Sequence, residues 1–183
     1  MARLIYFMPT SLDGYIADET GSFEWAAPDE EVHAFINDLE RPIGTYLYGR
    51  KMYETMMIWQ TPDVIAGLTA VMLDFARVWQ GADKIVFSKS LETVATPKTR
   101  LEREFDAQAI RDLKAQLSHD VSVSGPTLAA EAIRTGLVDE YQLLVVPAML
   151  GGGKRVLPSG VSVKLDLVDE RRFANGMVFL RYR

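Results

Sequence analysis

The run Gly44-Thr45-Tyr46-Leu47-Tyr48-Gly49-Arg50-Lys51 approaches the phosphate-cradling pattern G-x-x-x-x-G-K-[ST], and the chemistry it suggests is nucleotide binding. In a true cradle the residues between the glycines form an irregular loop whose N–H groups face the phosphate. Here they are β-branched and aromatic, so they read as a strand that ends at Gly49. Only the Gly49-Arg50-Lys51 turn, which opens a helix, remains to meet a phosphate. A second turn of this kind is Ser124-Gly125-Pro126-Thr127. It follows the strand-like Val121-Ser122-Val123 and starts a helix with proline in the first turn, where the missing N–H costs nothing. In a parallel sheet both turns emerge at the carboxyl edge, so two helix starts can converge on one polyanion.

Other chemistries find less support. Gly151-Gly152-Gly153 before Lys154-Arg155 lacks dinucleotide-binding spacing and no helix follows it, so it reads as a flexible connection. Cysteine is absent, which removes disulfides and thiolate chemistry, and the two histidines, His33 and His119, have no nearby ligand partners, so no metal site is expected. No G-x-S-x-G turn exposes a serine nucleophile. Asp29-Glu30-Glu31 opens a helix, where the dipole alone favours carboxylates, and one of them could still face a ligand. Trp25, Tyr46, Tyr48, Tyr53 and Trp59 are most simply core, although a flat-ring pocket needs the same apolar surface.

The elements that position these residues follow from periodicity. Apolar runs at Arg3 to Met8, Thr45 to Tyr48, Lys84 to Phe87, Asp120 to Val123 and Glu140 to Val146 read as strands, several of them buried on both faces. Helical patterns alternate with them at Asp29 to Glu40, Arg50 to Met57, Leu68 to Trp79, Asp106 to Leu117 and Pro126 to Thr135. Such alternation predicts an α/β fold with a central, mostly parallel sheet flanked by helices. Lys164 to Arg172 and Met177 to Tyr182 surround Asn175-Gly176, the dipeptide of tight hairpin turns, and predict a C-terminal antiparallel hairpin. No repeat or linker divides residues 1–183, which predicts one domain of 183 residues with ample apolar content for a core. A net charge of -5 with scattered lysines and arginines argues against nucleic-acid and anionic-membrane partners. The apolar start Leu4 to Pro9 is too short for a signal or membrane segment, so the cytosol is the simplest compartment.

Several segments taken in order resemble one family. Ser11-Leu-Asp-Gly-Tyr-Ile-Ala17, Leu47-Tyr-Gly-Arg-Lys-Met-Tyr-Glu54, Lys84-Ile-Val-Phe-Ser-Lys-Ser-Leu91, Val123-Ser-Gly-Pro-Thr-Leu-Ala129, Gly136-Leu-Val-Asp-Glu140 and Pro147-Ala-Met-Leu-Gly-Gly-Gly-Lys154 resemble the dihydrofolate reductase-like superfamily. The resemblance is to its branch containing the reductase domain of the riboflavin-biosynthesis deaminase/reductase and stand-alone relatives. It implies NADPH lying across the carboxyl edge of the sheet. Cofactor phosphate contacts then fall to Gly49, Arg50 and Lys51, the adenosine 2′-phosphate to Ser88 with Lys89, and the pyrophosphate to the turn of Gly125, Pro126, Thr127 and Leu128. Pro9, Thr10 and Asp13 would border the nicotinamide and substrate.

Placing Trp25 and Pro28 on the folate-reductase pattern makes Glu30 the proton-donating carboxyl, with Asp29 one register away, while Asp13 and Lys154 would meet a ribosylaminopyrimidine phosphate. Where the family has a glycine pair this chain has Gly125-Pro126, and proline cannot donate to phosphate. A prolyl bond lowers the cost of cis to about 0.5–1 kcal/mol, so a cis peptide there would preserve the family's backbone path. The resemblance implies hydride transfer from NADPH to a small heterocycle, a ribosylaminouracil or a dihydrofolate-type pterin, and pairing as a homodimer. The alternatives are an NADPH-binding protein without turnover and a dimeric scaffold without cofactor.

Overall fold

Alternation in the apolar runs decides which side chain serves which layer. In β1 (Leu4–Ser11), Leu4, Tyr6 and Met8 enter one core while Ile5 enters another, as the two-residue period of a strand requires. Leu47 opposes Tyr46 and Tyr48 in the same way within β3 (Ile43–Gly49). These assignments come from a computed structural model that describes residues Met1–Arg183. The remaining strands are β2 (Tyr15–Ala17), β4 (Asp83–Phe87), β5 (Thr99–Glu102), β6 (Asp120–Ser124), β7 (Glu140–Val146), β8 (Lys154–Arg155), β9 (Leu167–Arg172) and β10 (Val178–Tyr182). The main sheet runs β5-β4-β3-β6-β1-β7-β10-β9, parallel from β5 to β7 and antiparallel through the terminal hairpin; β2 and β8 pair separately.

Helices cover both faces of the parallel part, and the central strands are therefore buried on both sides. On one face lie α1 (Glu30–Glu40) and α4 (Ala70–Gly81), which supply Ile36, Phe75 and Trp79 to the layer over Tyr46 and Tyr48. On the other lie α5 (Ala107–Gln116) and α6 (Pro126–Arg134), which supply Ile110, Ala129, Ala132 and Ile133. Two shorter helices, α2 (Arg50–Met56) and α3 (Pro62–Ile65), link β3 to α4. Asp29 caps α1 by accepting from Val32 N at 2.9 Å, and Asp106 caps α5 through Gln108 N, so both helices start where their orphan amides find a side-chain acceptor.

The predicted α/β architecture, its mostly parallel sheet and its terminal hairpin are all present. Three local expectations are corrected. No peptide bond is cis, so Gly125-Pro126 is trans. Gly125 makes the turn instead with φ 88°, a left-handed conformation open to glycine at little cost. The Gly151 to Gly153 segment is held in place, because the Asp13 carboxylate accepts from Leu150 N at 3.1 Å and Gly151 N at 2.7 Å. Gly153 packs so closely that an added Cβ would sit 2.1 Å from the Ala17 carbonyl oxygen. The strand β5 lies in a charged stretch that alternation did not mark, and β9 begins only at Leu167.

Candidate active site

The two predicted turns are neighbours in space. Strands β3 and β6 pair in parallel with Tyr48 opposite Ser124, so Gly49 and Gly125 leave the sheet side by side. An added Cβ on Gly125 would stand 3.2 Å from Met52 Cβ, and one on Gly49 would stand 3.9 Å from Leu128 Cβ. The starts of α2 and α6 are therefore packed against each other at one edge. They open onto a cleft of about 2370 Å³ that runs along the carboxyl ends of β1, β3, β4 and β6.

One end of this cleft is basic. Arg50 Nη1 donates to Ser90 Oγ at 3.1 Å, and its Nε pairs with Glu54 at 2.7 Å. Ser88 Oγ accepts from Leu91 N at 3.0 Å, which closes the loop after β4. Arg103 reaches into the same loop and donates through Nη1 to the Ser88 carbonyl oxygen at 3.2 Å. Lys51 and Lys89 stand on the rim. Nearer the middle, Lys154 Nζ donates to Thr127 Oγ1 at 2.8 Å, joining β8 to the first turn of α6.

The other end is an aromatic lobe between α1, α4 and the sheet. Trp59 and Phe75 lie with ring centroids 4.8 Å apart, and His33 meets both edge to face. The His33 ring also pairs through Nδ1 with Asn37 Oδ1 at 3.1 Å. Below them Tyr46 and Tyr48 stack at 5.5 Å, and the Tyr48 hydroxyl accepts from Trp79 Nε1 at 3.1 Å. Burial pushes both phenols well above their ordinary range, so they act as neutral hydrogen-bonding groups. Glu40, in the last turn of α1, borders the same space; burial lifts its carboxyl to about 7.

Gly49, Arg50, Lys51, Ser88, Gly125, Pro126, Thr127 and Leu128 all line this cleft, as does Pro9. Thr10, Asp13 and Glu30 do not. Thr10 is buried with its hydroxyl turned to the Ser11 and Tyr15 carbonyl oxygens. Asp13 holds the glycine loop, and its carboxyl is lowered to about 2 by the bond from Ser11 Oγ first and by the Gly151 amide next. Glu30 is exposed in the first turn of α1.

The reason lies in the helical repeat. The face of α1 that lines the cleft is His33, Ile36 and Glu40, and one turn earlier that stripe arrives at Asp29, whose carboxylate is engaged in capping. Tyr46, Tyr48 and Trp59, read as core with a flat-ring pocket left open, do line the cleft, and the residues missed from the sequence are His33, Glu40, Ser90 and Arg103. Glu40 alone carried a legible signal, as a carboxylate on the apolar stripe of an amphipathic helix.

Comparison with known proteins assigns the lineage. A family model described as the RibD C-terminal domain matches residues 2–179. The chain belongs to that family. The family is one of riboflavin-pathway-type reductases, which makes this cleft the place to look for a reductase site. The chain is similar to the uncharacterized protein YyaP of Bacillus subtilis (strain 168), 27% identical over 192 residues, covering 98% of this chain and 94% of that one. Among solved structures, a Shewanella sp. PV-4 protein named for riboflavin biosynthesis superposes with a TM-score of 0.76 at 21% identity, covering 100% and 98% of the two chains. The deaminase/5-amino-6-(5-phosphoribosylamino)uracil reductase of Thermotoga maritima superposes with a TM-score of 0.67 at 16% identity, with all of this chain covering 56% of that one. At these identities the structural likeness is one of fold.

Proposed function

We propose that the chain is an NADPH-dependent reductase that transfers a hydride to an electrophilic carbon of a small heterocycle, most like the reduction of a ribosylaminouracil phosphate. The observation that carries this reading is the contact between the two glycine turns, Gly125 against Met52 and Gly49 against Leu128, which brings Arg50 and Thr127 to one cleft. The residues present suit a phosphorylated dinucleotide. Arg50, Ser88, Ser90 and Arg103 gather donors and positive charge where a 2′-phosphate would sit. The Gly125 turn, Thr127 and Lys154 offer amide, hydroxyl and ammonium donors to a pyrophosphate at the start of α6. When bound, NADPH supplies the hydride.

The protein's own work is to hold two rings together and keep water out. The lobe of Trp59, Phe75, Tyr48 and Ile36 provides a flat apolar wall for that purpose. Asp13, standing outside the cleft lining, holds the Leu150 and Gly151 amides and so fixes the loop from which Lys154 reaches Thr127. The test is thermal melting with NADPH and NADH in parallel. Saturation with NADPH at about 100 times its Kd should add about 2.7 kcal/mol, with a smaller shift from NADH. No shift from either dinucleotide would defeat the proposal.

A further inference from the structure

Three buried side-chain polar atoms without a hydrogen-bond partner fall in one place: Glu40 Oε2, Tyr46 Oη and Ser122 Oγ. Tyr46 and Ser122 are register partners on β3 and β6, so both point to the face covered by α1, where Glu40 sits. Glu40 and Tyr46 are both buried residues that line the cleft together with the aromatic lobe. The one hydrogen-bonding side chain beside the carboxyl is Tyr46, and no cation faces that carboxyl. It makes no salt bridge, it is 6% exposed, and it occupies the last turn of α1, where the negative end of the helix dipole opposes a further negative charge. A buried polar group left unpaired is costly, and native interiors leave few of them. Here an acceptor and a donor-acceptor hydroxyl are adjacent at the wall of an apolar pocket.

We propose that Glu40 and Tyr46 form the substrate-reading floor of the cleft and take the lactam edge of a flat heterocycle, its N–H donating to Glu40 and its C=O accepting from Tyr46. The assignment follows from the donor and acceptor inventory: a carboxylate only accepts, and the phenol, held neutral by burial, can donate. The aromatic lobe above supplies the faces that enclose such a ring. The inference rests on the reductase reading for the reaction, but the binding it predicts does not require turnover.

The test is calorimetric titration at pH 8 of the NADPH-treated protein with lumazine, a flat dione with lactam edges, and with 1,3-dimethyllumazine, in which methyl groups replace those N–H donors. Lumazine should bind the wild type and dimethyllumazine should not. Glu40→Leu and Tyr46→Phe should each weaken lumazine binding about tenfold or more, with Glu40→Gln between because its amide keeps one acceptor. The NADPH-induced melting shift should be the same in all variants, which also establishes that they are folded. Equal binding of the two lumazines, wild-type affinity in Glu40→Leu and Tyr46→Phe, or no lumazine binding to the wild type would each overturn the inference. Loss of the NADPH shift together with intact, Glu40-dependent lumazine binding would instead remove the cofactor reading and leave this one standing.

Discussion

Glu140 and Glu40 are both buried carboxyl groups, and the protein treats them in opposite ways. Glu140, 1% exposed at the start of β7, lies 3.0 Å from Arg3, 2.8 Å from Arg183 and 3.3 Å from Arg181, and it accepts from Gln142 Nε2 at 2.7 Å. Glu40, at the end of α1, has no cation and leaves Oε2 without a partner. The first belongs to the amino edge of the sheet, where Gln142 of β7, Arg181 of β10, Arg3 just before β1 and the C-terminal Arg183 meet it. The second belongs to the side that opens on the cleft. A carboxylate surrounded by its own arginines is a structural tie, whereas one left unpaired beside a pocket is a group still available to a ligand.

The comparison is broken most forcefully at Glu140. Glu140→Leu removes the acceptor that three arginines share, and unfolding in urea should show a loss of about 3 kcal/mol, toward the lower end for such pairs because Arg3 keeps Asp120, Arg181 keeps Asp169 and Arg183 can turn to water. Glu40→Gln should have the opposite sign. With a folded carboxyl at about 7 against the ordinary 4.5, the native state holds a proton through that window which the unfolded chain releases. Wild-type stability should therefore fall as pH rises from 4.5 to 7 and level above it, while Glu40→Gln stays flatter and gains about 2 kcal/mol at pH 8. A wild-type stability curve that rises across that window would refute the assignment.

Smaller effects sharpen the contrast between a stabilising edge and a binding edge. Gly125→Ala forces a side chain into a left-handed turn 3.2 Å from Met52, and should cost about 1–2 kcal/mol of stability and displace the start of α6, so that NADPH shifts the melting temperature less. Arg50→Met should leave stability within about 0.5 kcal/mol, since its bond to Glu54 is an exposed pair, yet weaken NADPH about tenfold and narrow its advantage over NADH. An Arg50→Met protein with unchanged preference for NADPH would place the 2′-phosphate elsewhere, with Arg103 the next residue to vary.

Much of the fold was legible because its signals are local. The alternation of Leu4, Ile5 and Tyr6, the Asn175-Gly176 turn and the glycines after two apolar runs each act within a few residues. The strand β5 escaped notice because Thr99-Arg100-Leu101-Glu102 alternates no more clearly than any charged loop, and it is a strand only because β4 presents it a ladder. Of the site, the two turns that meet at the cleft were legible from their glycines. Glu30 and Asp13 rest on likeness to a family, and neither lines the cleft; Glu40, one helix turn after Ile36, stands out only once the packing shows what faces it.

By itself the sequence determined the α/β alternation, the direction of the terminal hairpin and the two glycine turns that open helices after strands, because propensity and turn chemistry are properties of short segments. Only the tertiary structure decided that those turns touch, that Asp13 binds the Gly151 amide across the chain, and that Glu40 lacks the cations Glu140 possesses. Whether a carboxyl is paired depends on what distant strands and helices bring within about 3 Å of it, and that distance is set by packing.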